Sequence, residues 1–115
     1  MKRKPIVKAR ITFLSENEGG RQSMLVDAGV GYKPHLVIQD PTIRKAAVDN
    51  KNQPTENYLG VNFIGGPSLT IKSGEENEFE LECFYYPEVN YEKLVKGAMF
   101  TVREGARIVG FGEII

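Results

Sequence analysis

Residues 100–115 read FTVREGARIVGFGEII. Two alternating apolar runs are split by Arg103, Glu104, Gly105, Ala106 and Arg107, a mixture of charge and small side chains that suits a chain reversal between strands. Gly105 supplies the left-handed conformation of a three-residue loop or of a bulge. Counting by twos from the turn places Phe100 and Val102 inside before it and Val109 and Phe111 inside after it, with the charges outside. Gly110 and Gly112 then fall on the face opposite Val109, where a neighbouring backbone can come close.

The same period recurs along the chain. In VKARITFL (residues 7–14) Val7, Ala9, Ile11 and Phe13 share one face while Lys8, Arg10 and Thr12 share the other, as in a half-buried strand. SMLV, HLVIQ, YLGVNFI (interrupted at Gly60), SLTIK and EFELECFYY add further short strands. Turns are expected at residues 16–21 and at Ser73-Gly74-Glu75. Helical periodicity is nearly absent. A short helix is expected within residues 40–50, with Asp40 as N-cap and Pro41 at its first position, and one helical turn within residues 91–97. Seven or eight short strands with frequent turns predict an all-β fold that closes into a small antiparallel barrel or sandwich, because closure removes exposed edges.

A length of 115 residues is that of one domain able to bury its own core, so residues 1–115 are read as a single unit. Fifteen basic residues balance fifteen acidic ones, so any nucleic-acid surface must be a local patch and not a whole-molecule field. A basic start, MKRK, lacks the apolar stretch of a secretory signal, and no apolar run reaches membrane-spanning length. The chain therefore reads as cytoplasmic, with no membrane partner.

Catalytic constellations are scarce. The P-loop spacing of glycines and lysine does not occur, which removes that class of nucleotide site. With one histidine and one cysteine, neither a zinc site nor a Cys-His pair is expected, and no cofactor is implied. Cys83 lies on the apolar face of its strand with Phe79, Leu81 and Tyr85, as a core thiol. His35 stands opposite Leu36 and Ile38, as a surface or rim side chain. Glu78, Glu80 and Glu82 form an acidic strand face that the basic face of Lys8 and Arg10 would match across two neighbouring strands.

Three stretches, ITFLSENEGGRQS (residues 11–23), GYKPHLVI (31–38) and FTVREGARIVGFGEII, together resemble the C-terminal, third domain of translation elongation factor Tu. The corresponding family stretches run L-S-x-x-E-G-G-R-H-T, Y-R-P-Q-F-Y-F and F-x-x-R-E-G-G-R-T-V-G-x-G. The resemblance implies a small closed antiparallel β-barrel that performs no chemistry. In the family this domain holds the T stem of aminoacyl-tRNA, packs on the GTPase domain and contacts the nucleotide exchange factor. By motif, the binding positions implied here are Arg21, Gln22, Lys33, His35, Arg103, Glu104, Gly105 and Arg107. Gln22 replaces the family's histidine, His35 its glutamine and Ala106 its second glycine. Residues 40–58 form a longer loop than the family's.

With no GTPase domain in the chain, the expectation is a free-standing, non-enzymatic binding module. Its first expected partner is a protein, to which it would bind as a mimic, decoy or immunity-type protein linked to translation. The alternative partner is tRNA or another structured RNA, held through Arg21 and the Arg103–Arg107 turn. In a further alternative the barrel fold persists without the family's interactions.

Overall fold

In a computed structural model of the chain, described for residues 4–15, 24–25, 32–45, 50–51, 57–66, 70–71 and 74–115, six strands close into a barrel. The strands of the molecule are β1 (Ile6–Phe13), β2 (Met24–Leu25), β3 (His35–Ile38), β4 (Leu59–Gly65), β5 (Thr70–Ile71), β6 (Glu76–Cys83), β7 (Met99–Glu104) and β8 (Arg107–Ile114). Barrel order is β1-β6-β4-β3-β7-β8, closed by pairing of β8 with β1, and every pairing is antiparallel. The two short strands β2 and β5 pair with each other outside it.

Alternation explains the core. Ala9, Ile11 and Phe13 of β1, Val61 and Phe63 of β4, Phe79, Leu81 and Cys83 of β6, and Phe100 and Val102 of β7 all point inward and are almost wholly buried. Phe79 meets Phe13 edge-on at 6.0 Å and lies 5.0 Å from Phe63, so three rings fill one end of the barrel. Each such side chain contributes roughly 1.5–3 kcal/mol of burial. The outer rows of β1 and β6 stand opposite one another, with Lys8 across from Glu80 and Arg10 from Glu78, which is the expected meeting of basic and acidic faces.

The closing hairpin differs from its sequence reading in three ways. Glu104 pairs with Arg107, so the loop has two central residues, Gly105 and Ala106. Gly105 has φ 61°, and a positive φ at the first central position suits a primed hairpin turn. A bulge sits instead across the strands, where Val102 faces Gly110 and Arg103 faces Ile108, leaving Val109 as the extra residue. Such a slip inverts every later side chain. Phe111 consequently lies on the outer face opposite Thr12, while Gly110 and Gly112 face inward opposite Phe13 and Ile11. Glycine is required there: a Cβ on Gly112 would collide with the Arg10 carbonyl and lie 3.0 Å from Phe100.

No helix occurs among the described residues. At residues 40–43 a turn takes its place, in which the Asp40 carboxylate accepts bonds from the Thr42 amide (2.8 Å) and hydroxyl (2.6 Å), and the Ile43 amide bonds the Asp40 carbonyl at 3.1 Å. Asp and Thr side chains offer the backbone this alternative to a helix; residues 46–49 and 52–56 of the same stretch lie outside the described set. The expected helical turn at residues 91–97 is likewise only a turn, closed by Leu94 N–H to Tyr91 O at 2.9 Å.

A cation and aromatic row as candidate functional site

Arg103 is fully buried, although its strand position faces out of the barrel. It lies outside the barrel, as the alternation predicts, but other side chains cover it and shut out water. Its Nη1 donates to the Tyr58 hydroxyl at 2.8 Å, its Nη2 to Gln39 Oε1 at 2.7 Å, and its Nε to Thr101 Oγ1 at 3.1 Å. The Thr101 hydroxyl donates in turn to Gln39 Oε1 at 2.5 Å. The planar fork of the guanidinium thus meets neutral oxygens from both ends of the long loop, Gln39 and Tyr58, and from Thr101 of its own strand. Arg103 cannot meet a phosphate directly; it positions Tyr58, whose ring lies 5.4 Å from the guanidinium carbon.

From Tyr58 a continuous row runs across the outer surface. His35 lies 5.7 Å from Tyr58, and Tyr85 lies 6.3 Å from His35 with the two rings parallel within 15°. Phe84 meets Tyr85 edge-on at 5.1 Å. The ammonium groups of Lys4 and Lys33 stand 4.4 and 4.6 Å from the centre of the Phe84 ring, each contact being worth about 0.5–1 kcal/mol at an exposed site. Burial lowers the pKa of His35, which favours the uncharged ring and its use as an aromatic surface.

The backbone explains how Phe84 and Tyr85 come to lie outside. Cys83 is the last inward residue of β6, and the chain leaves the barrel in a turn that contains a cis Tyr86–Pro87 bond. Tyr85, expected on the inner face, is instead 46% exposed. Its ring lies against Gly60, whose missing Cβ leaves the space it occupies. Gly60 is not an interruption of β4, which runs unbroken; it is the seat of an aromatic ring. The turn is tied down at the same point, because the Gly60 carbonyl accepts the Tyr91 hydroxyl at 2.5 Å and the Phe84 amide at 3.1 Å. The Tyr91 hydroxyl also accepts the Tyr85 amide at 3.1 Å.

Of the residues the sequence singled out, Lys33, His35 and Arg103 join this one row. Glu104 does not join it: its carboxylate accepts the Tyr32 hydroxyl at 2.7 Å, and the Tyr32 ring packs on the core rings Phe13 and Phe63. Gly105 and Arg107 are exposed around the hairpin tip, and Arg21 and Gln22 lie outside the described residues. Lys4, Tyr58, Phe84 and Tyr85 were missed. One signal for them was available: three consecutive aromatics, Phe84, Tyr85 and Tyr86, follow an inward cysteine and cannot all continue into the core.

Other chemistry is muted. Cys83 is buried, and its thiol is pushed up to about 11 by burial and the neighbouring Glu82. Among the described residues no group of three or more His, Cys, Asp or Glu side chains could hold a metal ion, and no helix is long and apolar enough to cross a membrane. The chain is an all-β protein built on a small closed antiparallel barrel. No protein-family model matches it.

Proposed function

We propose that the chain is a non-catalytic binding module of the kind found as the third domain of elongation factor Tu, and that it holds tRNA or another structured RNA on the outer surface around β3 and the turn after β6. The observation that carries this reading is the row from Lys4 and Lys33 through Phe84, Tyr85 and His35 to Tyr58. Lysines beside exposed rings combine phosphate neutralisation with stacking, the pairing of chemistries that RNA surfaces use. Fluorescence polarisation with a labelled tRNA tests the proposal. Binding should weaken steeply as salt rises, and the Lys4→Glu, Lys33→Glu double variant should bind at least several-fold more weakly. No binding at about 50 mM salt contradicts it.

The protein-binding reading keeps one specific support. Met99, 49% exposed, lines a shallow concavity with Pro41 and Phe111, and Arg44 covers the Phe111 ring at 4.9 Å. Mixed charge around apolar side chains suits a protein contact, such as that of a mimic, decoy or immunity-type protein linked to translation. A discrete partner that survives nuclease treatment and is lost with Met99→Glu would favour it.

A further inference from the structure

We infer that Tyr85, backed by His35, stacks on an unpaired base, so that the RNA is recognised at a looped or single-stranded segment and not along a regular duplex; this rests on the RNA-binding reading above. In an A-form duplex the bases stack on one another and present only edges, sugars and phosphates to a protein. Lysines alone would serve such a target. Tyr85, 46% exposed, is the one exposed ring of the barrel among the described residues, the others being buried or partly buried, and it offers a different contact, the face or edge of an aromatic system to a base that has left its own stack.

Tyr85 is held in place before any ligand arrives. The absent Cβ of Gly60 seats its ring, His35 runs parallel to it and Phe84 meets it edge-on. Its amide donates to the Tyr91 hydroxyl, and its carbonyl accepts the Val89 amide at 3.0 Å. A ring fixed in this way loses little conformational freedom on binding. Beyond Phe84 the Lys4 and Lys33 ammoniums are placed to meet the phosphates that flank a stacked base. In its uncharged form the imidazole of His35 extends the aromatic surface without adding a charge that a duplex backbone would attract.

The test uses the full chain and two labelled RNA probes, a single strand of about ten nucleotides and the blunt duplex it forms with its complement. The strand is expected to bind roughly ten-fold more tightly than the duplex. Tyr85→Ala should weaken strand binding by about ten-fold and duplex binding by much less, whereas Tyr85→Phe should retain strand affinity. In the unsubstituted protein the Tyr85 ring protons should shift upfield in NMR spectra as the strand is added, a readout that does not depend on any variant folding. Equal affinity for strand and duplex, or unmoved Tyr85 resonances, overturns the inference while leaving RNA binding intact. Failure of both probes and of tRNA at low salt overturns RNA binding as well, in favour of a protein partner.

Discussion

Two outward-facing rows of this barrel have opposite fates. On β1 and β6, Lys8 and Arg10 face Glu78 and Glu80 across the ladder and remain exposed. On β7, Thr101 and Arg103 occupy the same kind of outward position and are both completely buried, because Gln39 and Tyr58 fold over them. Alternation therefore fixes which side of the sheet a residue is on, but not whether water reaches it. A second layer decides that, and here the second layer comes from the two ends of the loop between β3 and β4.

Arg103→Ala removes a buried fork and strips hydrogen-bond donors from Gln39, Thr101 and Tyr58, so it should destabilise the fold by about 2–4 kcal/mol, read as a lower urea midpoint. Arg107→Ala, across the same turn but exposed, should stay within about 0.5 kcal/mol. Equal effects would mean that Arg103 is not structural.

Gly60→Ala is expected to come next. Its Cβ would occupy the place of the Tyr85 ring edge, a displacement costing about 1–2 kcal/mol, and RNA affinity should fall with it. A third variant addresses the bare face. Lys8→Glu sets like charges against Glu80, and because both are solvent-exposed the loss should be no more than about 1 kcal/mol and should shrink in salt.

The smallest effect concerns pH. Burial lowers the pKa of His35, so protonation favours the unfolded chain. Its stabilising contribution is present above the unfolded value of about 6.5 and is lost as pH falls through the lower folded value. Thermal unfolding of a His35→Gln variant should therefore depend less on pH below about 6.5 than that of the natural sequence. Cys83, raised to about 11, runs the other way: its thiol should resist modification at pH 8 until the barrel unfolds.

Most of the barrel was legible in the sequence, because the inward rows of β1, β4, β6 and β7 keep strict period two. The face of Phe111 was not, since one extra residue at Val109 reverses the count beyond it and nothing in RIVGFG marks a bulge apart from its glycines. Lys33 and His35 were legible through motif, Arg103 only as a charge. Phe84 and Tyr85 carried a local signal in their run of aromatics, whereas Tyr58 became a functional candidate only through contacts between segments far apart in sequence, which local patterns do not encode. The turn at residues 40–43 shows the same limit at short range: Asp-Pro-Thr suits either a helix start or a side-chain-bonded turn, and surrounding packing makes the choice.

The central claim is that the aromatic and basic side of the barrel, not the charge-paired side, is the working surface. Titrating isotope-labelled protein with a tRNA and following amide resonances tests it residue by residue. Shifts should concentrate at Lys33, His35, Tyr58, Phe84 and Tyr85, with Lys8, Arg10, Glu78 and Glu80 unmoved. Shifts confined to the β1–β6 face, or around Met99 and Phe111 with the aromatic row silent, would contradict it.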